Sequence, residues 1–290
     1  MESLLNFIHW NPDIELVRMG SFALRWYSMC WVAGLVIGYF IVRYLFKLYK
    51  IEREKFEPLF FYTFFGILIG ARLGHCLFYE PGYFLSSGNH IIEMLIPIRF
   101  MPDGDWKFTG YEGLASHGGV FGMLIAFLIY VKKTKVPYMF VLDCIAVAAP
   151  FGAMFIRLGN LMNSEIIGRI TDVPWAFIFE KVDLQPRHPG QLYEAIAYLI
   201  IGIVGVILFN NTKLKQSLGK GFFFGYCVGT IFAFRIFVEF FKEVQVNFEE
   251  GMMLDMGQIL SLPLVVVGFY LMYRGYCKVI KVCSINYKND

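Results

Sequence analysis

The sequence predicts an all-α membrane protein with seven transmembrane helices, and three observations favour this fold class. Of the 290 residues, 57% are hydrophobic and only 17% are charged, and the mean hydropathy is +0.56. A soluble domain has about a quarter of its residues charged, whereas a bilayer solvates apolar side chains directly. The apolar residues also form seven runs of about 20 residues, the length that crosses the hydrocarbon core. We therefore expect a single integral membrane domain over residues 1–290.

Charged or turn-forming residues separate the predicted spans. In chain order the spans cover approximately residues 24–48, 59–79, 114–131, 138–162, 189–209, 222–241 and 254–273. The segment before the first span carries Glu2, Asp13 and Glu15 and lacks the short apolar core and cleavage site of a signal peptide. We expect it to be an amphipathic lead-in with Trp10 at the membrane interface.

The distribution of lysine and arginine predicts the orientation. Connections that stay in the cytoplasm are enriched in these residues. The first, third and fifth connections and the tail hold fifteen of the 26, the opposite side holds seven, and four lie within spans. This predicts an amino terminus outside and a carboxyl terminus inside. The long segments 80–113 and 163–188 are then both outside, where we expect them to form a small cap.

Several functional classes are disfavoured. The net charge of +3 comes without a basic run that could follow a nucleic-acid backbone, so no nucleic-acid partner is expected. The six cysteines show no CxxC pair and the five histidines no HExxH, which argues against disulfides and a zinc site. A P-loop and a GxSxG elbow are also absent from the sequence.

Polar residues recur at one depth, the outer third of each predicted span. Ionisable side chains inside a bilayer are expensive, so each is a candidate for function. This pattern predicts one cavity that opens to the outer leaflet. The set consists of Arg25, Tyr27, Arg72, His75, Ser116, His117, Arg157, Asn160, Gln191, Tyr193, Glu194, Arg235, Glu239, Gln258 and Ser261.

Simpler interpretations remain open for single members of this set. An arginine near a helix end can extend to the interface without any function. Arg235 and Glu239 are four residues apart, so they can form a structural ion pair on one helix face. Alternatively, Arg157 and Arg235 converge on one anion, because guanidinium groups suit phosphate oxygens. A phospholipid headgroup is the abundant anion at that depth.

Two segments contribute further polar and ionisable side chains to the predicted cavity. Residues 157–169, RLGNLMNSEIIGR, place two arginines, two asparagines and a glutamate where a helix leaves the membrane. Residues 116–119, SHGG, place His117 at a helix start. With an unperturbed pKa near 6.5 a histidine can accept a proton at neutral pH. A histidine buried for structural reasons is the alternative.

Seven motifs in series closely resemble the bacterial prolipoprotein diacylglyceryl transferase family, and the match extends over nearly the whole chain. RLGNLMNSEIIGR and HPGQLYE are the most specific of them. The motifs are LRWYS at 24–28, GARLG at 70–74, SHGG at 116–119, RLGNLMNSEIIGR at 157–169, HPGQLYE at 188–194, FRIFVEFF at 234–241 and LDMGQILSLP at 254–263. Departures from the family pattern occur at Ser28, Ile156 and Leu161, and they affect packing more than chemistry.

The resemblance implies a multi-pass enzyme of the bacterial inner membrane with seven helices, so the outside amino terminus predicted above would be periplasmic. No cofactor or metal is expected, because the lipid substrate is already activated as a phosphodiester. It implies transfer of the diacylglyceryl group of phosphatidylglycerol to the lipobox cysteine of a prolipoprotein, with release of glycerol phosphate. The matching functional positions are Tyr27, His117, Arg157, Asn160, Glu165, Gly168, Arg235 and Glu239.

On this basis we hypothesise that Arg157 and Arg235 bind the phosphate and that Glu239 orients Arg235. A thiol reacts as thiolate, and His117 is the candidate base, with Glu165 as the competitor. The groups expected at the headgroup or the peptide are Tyr27, Arg72, Asn160 and Gln191, with Gly168 leaving room for the substrate. The rival classes are a lipid transporter, disfavoured by the lack of an internal repeat, and a scaffold that binds anionic lipid.

Overall fold

The computed structural model describes residues 7–19, 22–101, 104–108, 113–243 and 254–286, and only the backbone at residues 19, 22, 116, 256 and 281–286. Helices dominate these ranges, as the composition predicts. The helices are α1 (Trp26–Leu48), α2 (Arg53–Phe78), α3 (Pro81–Phe84), α4 (Gly88–Leu95), α5 (Ser116–Thr134), α6 (Tyr138–Met162), α7 (Gly190–Asn210), α8 (Thr212–Lys215), α9 (Phe222–Val238) and α10 (Met256–Asn286), with a 3₁₀ turn over Glu239–Phe241.

Six of the described helical segments are long and apolar enough to cross a membrane. They are Trp26–Leu48, Arg53–Phe78, Tyr138–Met162, Gly190–Asn210, Phe222–Phe241 and Gly257–Ile280. The predicted third span forms α5, a helix of 19 residues that begins with SHGG and has Lys132 and Lys133 in its last turn. These polar ends shorten its apolar stretch, so a seventh span stays a prediction.

Helix ends differ from the predicted spans where charged residues continue a helix beyond its apolar run. Helix α2 begins at Arg53 rather than at residue 59, and Arg53 pairs with Glu57 one turn later at 2.6 Å. Helix α10 continues to Asn286 rather than ending at 273. Apolar length predicts the part of a helix that lipid can solvate, whereas backbone hydrogen bonding carries the helix further.

The described chain forms two compact units, the first up to Leu45 and from Leu142 onward, and the second from Phe46 to Val141. In the second unit α2 packs closely on α5. A Cβ atom on Gly70 would lie 2.7 Å from the Cα atom of Gly122, which leaves no space for a side chain. Small residues allow this approach between helices in lipid, where dispersion contacts rather than hydrophobic burial drive association.

The segment 80–113 of the second unit contains more than loop. It forms α3, α4 and an antiparallel pair of strands, β4 (Ile98–Phe100) and β5 (Trp106–Phe108). The side chain of Glu93 is buried beneath them and accepts hydrogen bonds from the Tyr83 hydroxyl at 2.9 Å and the Phe100 amide at 2.7 Å. These bonds satisfy a buried carboxylate.

In the first unit, α9 packs on both α7 and α10. The carboxylate of Asp143 on α6 fixes the start of α9, because it accepts hydrogen bonds from the amides of Gly219, Gly221 and Phe224 at 2.7 to 2.9 Å. These amides surround the helix N-terminus, where donors lack helical partners. Asp143 therefore has a structural role at the start of α9.

Short strands in the first unit correct the purely helical prediction. The predicted lead-in contains β1 (Ile8–Trp10), which pairs in parallel with β6 (Phe177–Phe179), and β6 pairs with β7 (Pro186–Arg187). A hairpin of β2 (Glu15–Met19) and β3 (Phe22–Arg25) precedes α1. The Trp10 indole is not an isolated interfacial ring, because its Nε1 donates to the Leu161 carbonyl at 2.9 Å. This sheet joins the amino-terminal segment to residues 163–188.

Candidate active site

An ion pair between Arg157 and Glu194 lies at the centre of the candidate site. Arg157 is near the C-terminal end of α6, and Glu194 is in the first turns of α7. The Nε atom of Arg157 is 3.0 Å from Oε2 of Glu194, whose side chain is 0% exposed. The hydroxyl of Tyr198, one turn along α7, donates to Oε1 of Glu194 at 3.0 Å. Both carboxylate oxygens therefore have a partner, as a buried charge requires.

Lys242 is a second buried cation of this site. Its Nζ atom is 3.3 Å from Oε2 of Glu194 and 3.1 Å from Oε2 of Glu239, and its side chain is 4% exposed. Sequence reasoning counted Lys242 among the loop cations outside the membrane and therefore missed it. The feature of the sequence that could have identified Lys242 as a site residue is its spacing of three residues from Glu239.

The expected pairing of Glu239 with Arg235 is wrong for the described residues, since Glu239 pairs with Lys242. Helix α9 ends at Val238, and Glu239–Phe241 forms a 3₁₀ turn. Side chains at i and i+3 align in a 3₁₀ turn, which brings Lys242 rather than Arg235 beside Glu239. Among the described residues, the half-buried Arg235 has no ion-pair or hydrogen-bond partner. Within the part of the chain that the structure describes, its guanidinium can therefore bind an anion.

A chain of amide hydrogen bonds links Arg157 to the segment that follows α6. The NH1 group of Arg157 donates to Asn160 at 3.3 Å, and the Asn160 amide donates to Oε2 of Glu165 at 3.0 Å. The other oxygen of Glu165 accepts from Asn163 at 3.1 Å. Gln191 of α7 donates its side-chain amide to the backbone carbonyl of Glu165. This network connects the ends of α6 and α7.

The backbone of this segment turns sharply, because Ser164 and Ile166 have φ angles of 55° and 56°. These positive angles are unusual for residues with a side chain, and they are uncommon for a branched residue such as Ile166. The turn directs the Glu165 carboxylate back towards Asn160. It explains how residues on both sides of a helix end belong to one network.

Two glycines of the 157–169 segment allow close contacts. A Cβ atom on Gly159 would lie 2.8 Å from Cδ2 of Tyr27, so the ring of Tyr27 lies on the surface of α6. The space beside Gly168 is filled by His188 and by the carbonyl of Phe241, which would lie 2.6 Å from an added Cβ. Gly168 therefore accommodates neighbouring backbone rather than leaving the expected room for substrate.

The remaining candidate residues, Arg72 and His117, belong to the second unit. Arg72 is buried, donates to the Glu93 carbonyl at 2.9 Å and stacks on the ring of Phe84. His117 lies in the first turn of α5, where its side chain is exposed and lines an apolar groove formed by α2 and α5. A role for either residue at the substrate stays a prediction.

Arg187, which sequence reasoning also missed, supports the site from β7. It is buried, pairs with Asp183 at 2.6 Å and with Glu243 at 3.0 Å, and donates to the Gly168 carbonyl at 3.2 Å. Its hydrogen bonds to Asp183 hold the pKa of that carboxyl below its usual value. Partial burial lowers the pKa of the neighbouring His188, whose Nδ1 atom lies 3.0 Å from the Tyr193 hydroxyl.

Chemically, this arrangement can bind an anion and stabilise developing negative charge. Arg157 and Arg235 present guanidinium groups, and the carboxylates near them are already paired with Arg157, Lys242 and neutral donors. Cations held in a partly dehydrated site interact with a phosphate more strongly than cations in water do.

Comparisons with known proteins agree with this chemistry. A family model described as prolipoprotein diacylglyceryl transferase matches residues 15–274. A relative from Bacteroides fragilis, named phosphatidylglycerol–prolipoprotein diacylglyceryl transferase, is 58% identical over 273 residues, which cover 94% of this chain and 97% of the relative. A relative of the same name from Tolumonas auensis is 38% identical over 266 residues, 91% of this chain and 96% of the relative. One from Rickettsia akari is 35% identical over 282 residues, 93% and 99% of the two chains.

Proposed function

The chain belongs to the prolipoprotein diacylglyceryl transferase family, and from this premise we propose that the side chains around Arg157 form its active site. The protein is a transferase that moves the diacylglyceryl group of phosphatidylglycerol to a prolipoprotein. Its apolar helices make it a multi-pass membrane protein. The location of the chemistry and the role of each residue are our inference.

The proposed reaction displaces a phosphate ester from a glycerol carbon. The lipobox cysteine loses its thiol proton, its sulfur forms a bond to that carbon, and the carbon–oxygen bond to the phosphate breaks. The leaving oxygen keeps the bonding electrons, so glycerol phosphate leaves as an anion and a thioether remains. Because negative charge grows on the phosphate, the reaction needs fixed positive charge more than it needs a proton donor.

Arg157 and Arg235 supply that charge in our proposal. Arg157 uses its Nε atom on Glu194 and one terminal nitrogen on Asn160, which leaves donor capacity on its planar fork. Arg235 has no partner among the described residues, and a phosphate oxygen would give it one. The pairing of Glu239 with Lys242 removes the orienting role that we first expected of Glu239 towards Arg235. Glu239 instead acts through Lys242.

The thiol proton goes to His117 in our proposal, with Glu165 as the alternative base. Glu165 is the weaker candidate, because amide donors already occupy both of its oxygens. Tyr27, Asn160 and Gln191 would bind the headgroup or the peptide backbone. Tyr27 and Asn160 have support from their positions beside Gly159 and Arg157.

We propose the inner membrane as the location, a periplasmic amino terminus, seven spans including α5, and one membrane domain over residues 1–290. The lysine and arginine distribution of the sequence supports this orientation. The lipid would enter laterally, because removing two acyl chains from the bilayer costs about 0.8 kcal/mol per CH₂ group. The peptide partner would be a lipobox segment, whose cysteine follows the apolar part of a signal peptide.

The observation that carries the proposal is the Arg157–Glu194 pair together with Arg235, which lies in the same unit and has no partner among the described residues. The test is an assay of purified protein with phosphatidylglycerol and a lipobox peptide, analysed by mass spectrometry. We expect a peptide carrying a diacylglyceryl thioether and an equal amount of glycerol phosphate. A peptide with Ser in place of Cys is the control. Lipid crossing liposome membranes without any thioether would instead indicate a transporter.

A further inference from the structure

We propose that Lys242 is a positioning residue that sets the net charge of the phosphate site to match a phospholipid with a single negative charge. This inference rests on the proposed function and extends it to substrate selection. The charged side chains concerned are called the arginine cluster below, and they are Arg157, Glu194, Arg235, Glu239 and Lys242.

Lys242 is held where it contacts two carboxylates at once. Its Nζ atom lies 3.3 Å from Glu194 and 3.1 Å from Glu239. Its backbone is fixed as well, because its carbonyl accepts a hydrogen bond from Nε of Arg169 at 2.8 Å and it forms a β-bridge with Gly168. A lysine that is 4% exposed and anchored at its backbone cannot move freely into solvent.

The charges of the arginine cluster sum to a single positive charge. Arg157, Arg235 and Lys242 are positive, while Glu194 and Glu239 are negative. Glu165, bound by two neutral amides, and Arg169, bound to the Lys242 carbonyl, are both exposed, so water screens their opposite charges more effectively. A phosphodiester carries one negative charge, and its binding would leave the cluster electrically neutral. Buried charges are tolerated only when they are compensated in this way.

Without Lys242 this balance would be lost. Glu239 would be a largely buried carboxylate with no cation paired to it among the described residues, and the guanidinium of Arg235, which has no described partner, lies one helical turn before it. Glu194 would keep only Arg157 as a cation. The carboxylates would then occupy both arginines and compete with the phosphate. Lys242 therefore keeps the two guanidinium groups available without touching the substrate.

This charge balance favours one class of headgroup. A phosphodiester lipid with an uncharged glycerol headgroup neutralises the cluster. A zwitterionic lipid such as phosphatidylethanolamine brings an ammonium group that the positive cluster repels, and a dianionic phosphomonoester brings excess negative charge. Like-charge contacts of this kind provide specificity by penalising the wrong ligand.

The first experiment measures kcat and the KM values for phosphatidylglycerol and for a lipobox peptide in four proteins: wild type, Lys242→Met, Lys242→Arg and the double variant Lys242→Met with Glu239→Gln. Lys213→Met, at an exposed lysine of α8, is the matched control. Thermal unfolding in detergent shows which variants are folded.

We expect Lys242→Met to raise the KM for phosphatidylglycerol on the order of tenfold or more, with little change in the peptide KM. Lys242→Arg keeps the charge and should remain close to wild type. The double variant removes one charge of each sign and should recover most of the lipid affinity. Folded Lys242→Met with a wild-type KM, or a folded double variant no better than Lys242→Met, would overturn the inference. An inactive wild type would instead contradict the proposed function.

A second experiment does not depend on removing Lys242. Glu239→Gln raises the net charge of the cluster to two, so binding of phosphatidylglycerol vesicles should strengthen and binding of phosphatidic acid should increase most. Phosphatidylethanolamine vesicles provide the baseline. Unchanged or weaker binding of both anionic lipids by this variant would contradict the charge balance, whatever the Lys242 variants show.

Discussion

Replacing Glu194 by Gln removes the carboxylate that Arg157 and Lys242 share inside the first unit. The change keeps the size of the side chain but leaves two largely buried cations, 16% and 4% exposed, with one carboxylate fewer. Glu194 itself is 0% exposed, so water cannot replace its charge. Breaking a buried ion pair by removing one partner costs about 3 to 5 kcal/mol. The hydrogen bond from Tyr198 survives, since an amide oxygen also accepts.

The assay is thermal unfolding of purified protein in detergent, with Glu165→Gln as the matched control. Glu165 is exposed, and its carboxylate partners among the described residues are side-chain amides, so its replacement should cost less than about 1 kcal/mol. At about 2 to 4 °C per kcal/mol for a chain of this size, Glu194→Gln should lower Tm on the order of 10 °C. The reasoning is refuted if both variants unfold at the wild-type temperature, or if Glu165→Gln is the more damaging change.

Three other variants test separate parts of the account. Arg235→Lys should lower kcat for thioether formation about tenfold or more, because a point charge replaces a planar fork; wild-type turnover would remove the argument for two-point phosphate binding. Gly168→Ala should destabilise the protein by about 1 to 3 kcal/mol, since its methyl group would meet His188 and Phe241, whereas Gly38→Ala, where no atom lies within 4 Å, should leave Tm nearly unchanged. The pKa of Asp183 is lowered by Arg187, so this pair stabilises the fold above the unfolded pKa of about 4 and is lost as pH falls through the folded pKa. Asp183→Asn should therefore lower Tm near pH 6, and the Tm of the variant should fall less steeply than that of the wild type below about pH 4. Parallel curves of Tm against pH for the two proteins would contradict a lowered pKa of Asp183 in the folded state.

The membrane helices could be predicted from the sequence because apolar length is a local property. The predicted span 138–162 coincides with α6, and 189–209 differs from α7 by one residue at each end. The ladder of β1 on β6 could not be predicted in the same way. Its partners, such as His9 and Ile178, are far apart in sequence, and no hairpin turn joins them.

The sequence could predict which residues belong to the candidate site, but not which of their charged side chains form pairs. Arg157 and Asn160 are three residues apart on one helix and do interact. The pairing of Arg235 with Glu239 failed because it assumed α-helical geometry beyond Val238, where the backbone tightens. Lys242 was missed because its burial depends on Glu194, a residue of another helix. Tertiary contacts of this kind leave no local pattern in the sequence.

Turnover of Arg157→Gln tests the central claim most directly, which is that the arginine cluster is the place of diacylglyceryl transfer. The control is Arg18→Gln, which removes an exposed arginine whose partner among the described residues is Glu15. Both variants are assayed with phosphatidylglycerol and a lipobox peptide after thermal unfolding has shown that they are folded. We predict that Arg157→Gln loses at least about a hundredfold in thioether formation, while Arg18→Gln matches wild type. Equal turnover by the two folded variants would contradict the account.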